Sequence, residues 1–183
     1  LGDLLDRVHS LPAPVVSALG GDAEGMGAGL ALAADVVVMA DSARMGFPDV
    51  KRGLVPALIV PDLVRQVGDR RARELLLTGR MVECEEALDW GLVNRVVACE
   101  HVLEESIAIA EGFCRCGPVA LSTIKQLLDE STQRPRTLRG SAAVSAAVGD
   151  SDEAREGIDA YRESRRPRWG VEGKPSTSSA EES

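Results

Sequence analysis

Aromatic side chains make up only 3% of this chain: two Trp, one Tyr and two Phe among 183 residues. The core must therefore be aliphatic, and there is too little aromatic surface for a platform on which nucleic-acid bases stack. Histidine is as scarce. His9 and His101 are the only two, and they form no metal-binding pair. The four cysteines are Cys84, Cys99, Cys114 and Cys116, the last two separated by a single residue. That is not a zinc-knuckle spacing, and the reading is reduced thiols in a cytoplasmic protein with no metal. Basic residues are outnumbered, 21 Lys and Arg against 29 Asp and Glu, for a net charge of −8. This excludes a nucleic-acid binder whose affinity comes from neutralising phosphates. No apolar run is long and unbroken enough for a membrane span, and no stretch reads as a signal peptide. The chain opens on Leu1 rather than Met, so a missing upstream segment is expected.

What is present is enough for one domain with a substantial core. Leu1, Leu4, Leu5, Val8 and Leu11 fall at helical spacing, and Pro12 and Pro14 end that helix. "PVVSAL" reads as a short buried strand closed by Gly20 and Gly21, and "DVVVMA" (35–40) as a second β-branched strand. Between them lies a helix over about residues 26–34. Further helices are expected in "DRRARELLLTG", stopped by Gly79, and in "VECEEALDWG", with Glu83 near its start. A strand follows in "LVNRVV". An amphipathic helix comes next, with Val102, Ile107, Ile109 and Ala110 on or near one face. Pro118 opens a helix to about Ser131, another spans about 137–148, and a last one is capped by Ser151 or Asp152. The polar tail 171–183 reads as disordered. Strands alternate with helices, so the class is α/β.

The stretch "EGMGAGLALAAD" (24–35) carries Gly25, Gly27 and Gly29 at every second position, running into a helix. A dinucleotide fold would need G-x-G-x-x-G directly after the strand, but here the spacing is G-x-G-x-G and "GGDAE" intervenes. A phosphate loop would need Lys followed by Ser or Thr, which are absent. Two readings stay open. The bare backbone can bring an N–H close to an oxygen that becomes negative during a reaction, or the small residues let the helix pack tightly.

The segment "PVVSALGGDAEGMGAGLALAADVVVMADSARMGFPDVKRGLVP" resembles the central region of the crotonase superfamily, the enoyl-CoA hydratases and isomerases. The likeness continues through "RARELLLTGRMVECEEALDWGLVNRVV" and "DEAREGIDAYRESRRPRW", covering about residues 11–170. The resemblance implies a spiral of ββα turns over 1–117 and a C-terminal helical region over 118–170 that builds trimers and hexamers. It implies an acyl-CoA thioester as ligand, with coenzyme A part of the substrate rather than a held cofactor. It also implies a thioester oxygen received by backbone N–H groups, one of them the amide of Met26. Gly25, Gly27, Gly29, Pro48, Leu54 and Pro56 would lie along the acyl site, with "ALIVP", Leu54 and Val55 lining or backing it. "GLVPALIVP" stands where many members carry a glycine-rich segment.

Two departures from the family pattern matter. Hydratases place two carboxylates on the substrate, one activating water and the other helping to deliver a proton to C2. The first lies three residues after the oxyanion amide, and here that position is Gly29. The second follows a proline before the "GLVP" turn, and here it is Asp49, one methylene shorter than glutamate. Asp49 alone is expected to move a proton between carbons flanking an enolate, or to orient a water. Asp22 and Glu24 read as solvated loop charges and Asp35 as structural. The second departure is length. The family's N-terminal turns, which hold the other oxyanion donor and part of the CoA wall, should precede Leu1. The chain is therefore expected to be a fragment or a shortened member, and a shortened member would expose a strand edge. The expected function is enoyl-CoA hydratase or isomerase chemistry. The alternative is an inactive acyl-CoA-binding or assembly subunit. A Clp-type serine peptidase would need a serine at the helix start, where Met26 stands.

Overall fold

A computed structural model describes residues 2–131, 146, 150 and 152–165. The helix expected over 137–148, a cap at Ser151 and the tail 171–183 fall outside the described residues, apart from the helical residue Ala146. The first helix, α1, is Gly2–Ser10. Of its predicted apolar positions Leu5 is buried, while Leu4 and the following Leu11 are exposed.

Two small sheets form the centre. The first is wholly parallel, in the order β1 (Val16–Leu19), β3 (Val36–Ala40), β6 (Arg95–Val97). Val16 stands opposite Val36 and Leu19 opposite Met39, and β1 lies at the sheet's edge. The second sheet orders β2 (Ala23–Glu24), β4 (Arg44–Gly46) and β5 (Met81–Glu83). Its first pair is parallel and its second antiparallel. None of the three was expected, because strands of two or three residues are too short to show a period.

Parallel strands need crossovers, and helices supply them. Between β1 and β3 the chain passes through β2 and α2 (Met26–Leu32). After β4 comes a 3-10 turn, Pro48–Arg52. Then comes α3 (Val60–Thr78), which starts before the expected "DRRARELLLTG" and is kinked where Gly68 leaves helical geometry. The C-cap of α3 is Gly79 in the left-handed conformation, as its position implied. The helix α4 (Cys84–Asp89) leads to β6. α5 (Val102–Phe113) packs on β1 and β3. Its buried positions are Val102 and Ser106, and Ile107 is exposed, contrary to the amphipathic face assigned to it. Val102, Ser106 and Ile109 stand at i, i+4 and i+7 on the inward face, Ile109 packing on the core, and the Ser106 hydroxyl is satisfied by donating to the Val102 carbonyl. α6 is Pro118–Ser131, matching its expected bounds, and α7 is Asp152–Arg162.

The main core is aliphatic as the composition required, gathering Val37, Val38, Met39, Met45, Leu63, Leu75 and Val82 around the fully buried Phe47, with Trp90 packed against it. A smaller cluster of Leu5, Ala33 and Leu58, with Val8 and Met26 packed beside it, ties α1 to both ends of α2. Asp35 is structural, as read: its Oδ2 accepts from the Val15 amide at 2.7 Å and from Lys125 Nζ at 2.7 Å. All four cysteines are free thiols.

Candidate active site

The chain reaches α2 through Gly25, whose φ of 51° and ψ of −114° suit only a residue without a Cβ. The Gly25 amide donates to the Gly46 carbonyl at 2.8 Å, so β4 holds the entry to the helix. Inside α2 the Gly29 amide donates to the Gly25 carbonyl at 2.9 Å. The amides of Met26, Gly27 and Ala28 precede that bond, and as first-turn donors they have no intrahelical acceptor.

Asp49 arrives at the same place from the other direction. Pro48 opens the 3-10 turn with its fixed φ and is buried. The Asp49 carbonyl accepts from the Leu54 amide at 3.0 Å, and Gly53 closes the turn in the left-handed conformation. This turn carries the Asp49 carboxylate against Gly25. A Cβ built on Gly25 would stand 3.1 Å from Oδ2 and 3.2 Å from Oδ1. Oδ2 is buried and makes no hydrogen bond. Burial pushes the carboxyl above its ordinary 3.8, helped by the charge of Glu24, while its own backbone amide and Arg52 pull the other way. A carboxylate with one oxygen buried and unpaired, and its charged form disfavoured by burial, can take up a proton and give it back.

The three glycines do different things. Gly25 makes room for Asp49. Gly27 is exposed, and a Cβ there would meet open space. Gly29 is buried, and a Cβ there would collide with Ile59, 2.6 Å from Cγ1 and 2.7 Å from Cδ1. Of the other expected lining residues, Leu54 and Pro56 are partly buried and shape the turn, and Val55 is exposed. The Pro56 carbonyl accepts from the Ile59 amide at 2.9 Å. Within "ALIVP" the contact with Gly29 singles out Ile59, a pairing across 30 positions that no local pattern reveals.

The neighbouring charges are paired. Asp22 accepts a forked contact from Arg44, with N–H to Oδ2 distances of 2.7 and 3.2 Å, which holds its carboxyl below the usual range. Glu24 accepts from Arg52 at 2.9 Å, and the Arg52 guanidinium lies 4.5 Å from the Tyr161 ring centroid on α7. Arg52, unmarked in the sequence, thus links Glu24, the Asp49 turn and α7. Among the described residues no group of His, Cys, Asp or Glu is placed to hold a metal ion, and no single helix is long and apolar enough to cross a membrane.

Known proteins match most of this chain. The family model described as enoyl-CoA hydratase/isomerase matches residues 1–172. A putative enoyl-CoA hydratase of Thermus thermophilus is 44% identical over 168 residues, which cover 91% of this chain and 66% of that protein. Carnitinyl-CoA dehydratase of Citrobacter koseri is 35% identical over 175 residues, 90% of this chain and 66% of its own. A solved carnitinyl-CoA hydratase of Mycobacterium avium superposes with a TM-score of 0.81 at 33% identity, covering 88% of this chain and 65% of that one. The chain thus spans just under two thirds of the length of these relatives.

Proposed function

The chain belongs to the enoyl-CoA hydratase/isomerase family, and from that premise we propose that it acts on an acyl-CoA thioester by moving a proton at C2, with Asp49 as the proton carrier. The observation that carries this reading is the Asp49 carboxylate itself: half-buried, its Oδ2 buried and unpartnered, and lodged against Gly25, the residue before Met26. A buried acceptor left without a partner, as Oδ2 is, costs about 1–3 kcal/mol, and a proton carrier is a reason to keep one.

In this reading the thioester oxygen accepts a hydrogen bond from the Met26 N–H. As C2 loses a proton to Asp49, the electron pair moves onto that oxygen, and a donor fixed there stabilises the enolate. Reprotonation of the carbon skeleton returns Asp49 to its starting state. No metal and no held cofactor enters, and coenzyme A comes and goes with the substrate. Gly25, Pro48, Leu54 and Pro56 shape the wall along the acyl chain. A homotrimer or hexamer is part of the proposal. It is supported by apolar side chains left exposed on α5 and α6, among them Leu103, Val119, Ile124 and Leu127, and sedimentation of the purified chain tests it.

The direct test is incubation of the chain with butyryl-CoA and 2-butenoyl-CoA in heavy water, read by mass spectrometry. Deuterium at C2 that disappears in Asp49→Asn supports the reading. Labelling that persists in that variant removes Asp49 from the chemistry. A second reading, an acyl-CoA-binding subunit without turnover, is favoured by the glycine at position 29. It predicts thioester binding with no labelling at all.

A further inference from the structure

Gly25 is the N-cap of α2 and Gly29 lies one turn further in, its amide donating to the Gly25 carbonyl at 2.9 Å. Each is met there by a different chemistry. Position 25 faces the Asp49 carboxylate, and position 29 faces the hydrocarbon of Ile59. At 2.6 and 2.7 Å from a Cβ on residue 29, the Ile59 side chain and any side chain at 29 compete for one space. Ile59 is firmly held there: it is 1% exposed, its amide donates to the Pro56 carbonyl at 2.9 Å, and its carbonyl accepts from the Leu63 amide at 2.9 Å. The start of α2 thus meets an acid at its cap and an apolar wall one turn on.

That juxtaposition bears on which reaction follows enolate formation. Adding water across a C2=C3 bond needs two proton-handling places. One takes a proton from the water as its oxygen bonds C3, and the other gives a proton to C2. Shifting a double bond needs only one. The carboxylate takes a proton from C2 of a 3-enoyl thioester, and the electron pair passes onto the thioester oxygen. The same carboxyl then protonates C4 as the C2=C3 bond forms. No water is consumed, and the carboxylate ends as it began. A wall of hydrocarbon offers a water neither a donor nor an acceptor, so a water there is not held.

We propose that Ile59 is the specificity-determining residue of this site: by filling the space beside Gly29 it excludes both a second acid and an ordered water, and so directs Asp49 to double-bond migration in 3-enoyl thioesters rather than hydration. The inference rests on the acyl-thioester reading above.

The experiment compares wild type, Ile59→Ala, Gly29→Glu and the double variant Gly29→Glu/Ile59→Gly on 3-butenoyl-CoA and 2-butenoyl-CoA in heavy water. The hydrated and the deuterated isomerised products are separated by mass. Wild type is expected to convert 3-butenoyl-CoA to labelled 2-butenoyl-CoA with only trace hydrate. The double variant should raise the hydrate-to-isomer ratio by roughly a hundredfold, the effect of one added acid–base group. Gly29→Glu alone should gain nothing and melt earlier, because Ile59 blocks it. Ile59→Ala should raise the hydrate fraction by admitting water. Should the double variant fail to fold, Gly29→Ala and Ile59→Ala form a double-mutant cycle on melting temperature. Relief of the first by the second supports the shared space, and simple additivity overturns it. Wild type that hydrates as readily as it isomerises, or Gly29→Glu hydrating as well as the double variant, overturns the role of Ile59. Wild type that labels no thioester overturns the acyl-thioester reading itself, and the inference with it.

Discussion

The Asp49 carboxylate rests on the bare Cα of Gly25: both oxygens lie within 3.2 Å of where a Cβ on that glycine would be. The glycine is required twice, once for its φ of 51° and once for the space. Gly25→Ala should therefore cost about 1–3 kcal/mol in backbone strain and displace the carboxylate. Thermal melts and the C2 exchange rate check this together. The variant is expected to fold less stably and to exchange far more slowly than its lost stability accounts for.

Asp49→Asn should separate function from stability. Loss of the proton carrier is expected to lower turnover by about 10²–10⁴-fold. Stability moves the other way. Because burial raises the folded-state pKa above 3.8, the folded chain holds the Asp49 proton more tightly than the unfolded chain does. The contribution of this group is therefore fully present at acid pH and is lost as pH rises through the folded pKa, leaving a net cost at pH 7. The asparagine variant should be at least as stable as wild type at pH 7. Its relative advantage should shrink as the pH falls towards 4, which denaturant melts at several pH values will show.

For the proposed reaction the same shift sets an acid limb. The rate should fall on acidification at a pH above 3.8, because only the carboxylate can accept the C2 proton. Besides burial, two neighbouring charges act in opposite directions: Arg52 lowers the Asp49 pKa and Glu24 raises it. The limb should accordingly move up in Arg52→Gln and down in Glu24→Gln. Profiles of kcat/KM against pH for the two variants test the signs. Parallel movement would contradict the electrostatic account.

Away from the site, Lys125 fastens α6 to the head of the first sheet. Its Nζ donates to Asp35 Oδ2 at 2.7 Å and to the Ala13 carbonyl at 3.1 Å, with the lysine side chain 12% exposed. Lys125→Met keeps the aliphatic stem and removes a charged hydrogen bond worth about 1.5–3 kcal/mol. A drop in stability of that order is expected, with the C2 exchange rate unchanged.

Much of the scaffold was legible before any coordinates. The β-branched runs became β1 and β3, Pro118 opened α6, and Gly79 capped α3, because each is a local signal with a local cause. The second sheet was not legible: β2, β4 and β5 have two or three residues each, and their pairing joins distant segments. The candidate site is a different matter. Asp49 and Met26 could be named from the family likeness, but the three glycines looked equivalent. Only tertiary packing distinguishes Gly25 against Asp49, Gly27 against open space and Gly29 against Ile59. Likewise Arg52 is an ordinary basic residue in the sequence, and its reach to Glu24 and Tyr161 depends on where α7 folds back.

The central claim is that Asp49 and the Met26 amide face the same thioester. A crystal structure of the chain with butyryl-CoA tests it most directly. The account predicts the thioester oxygen within about 3 Å of the Met26 nitrogen, the ordinary N–H···O distance, and C2 turned towards Asp49 Oδ2. A thioester bound with its oxygen away from Met26, or with Ile59 rather than Asp49 against C2, would contradict it.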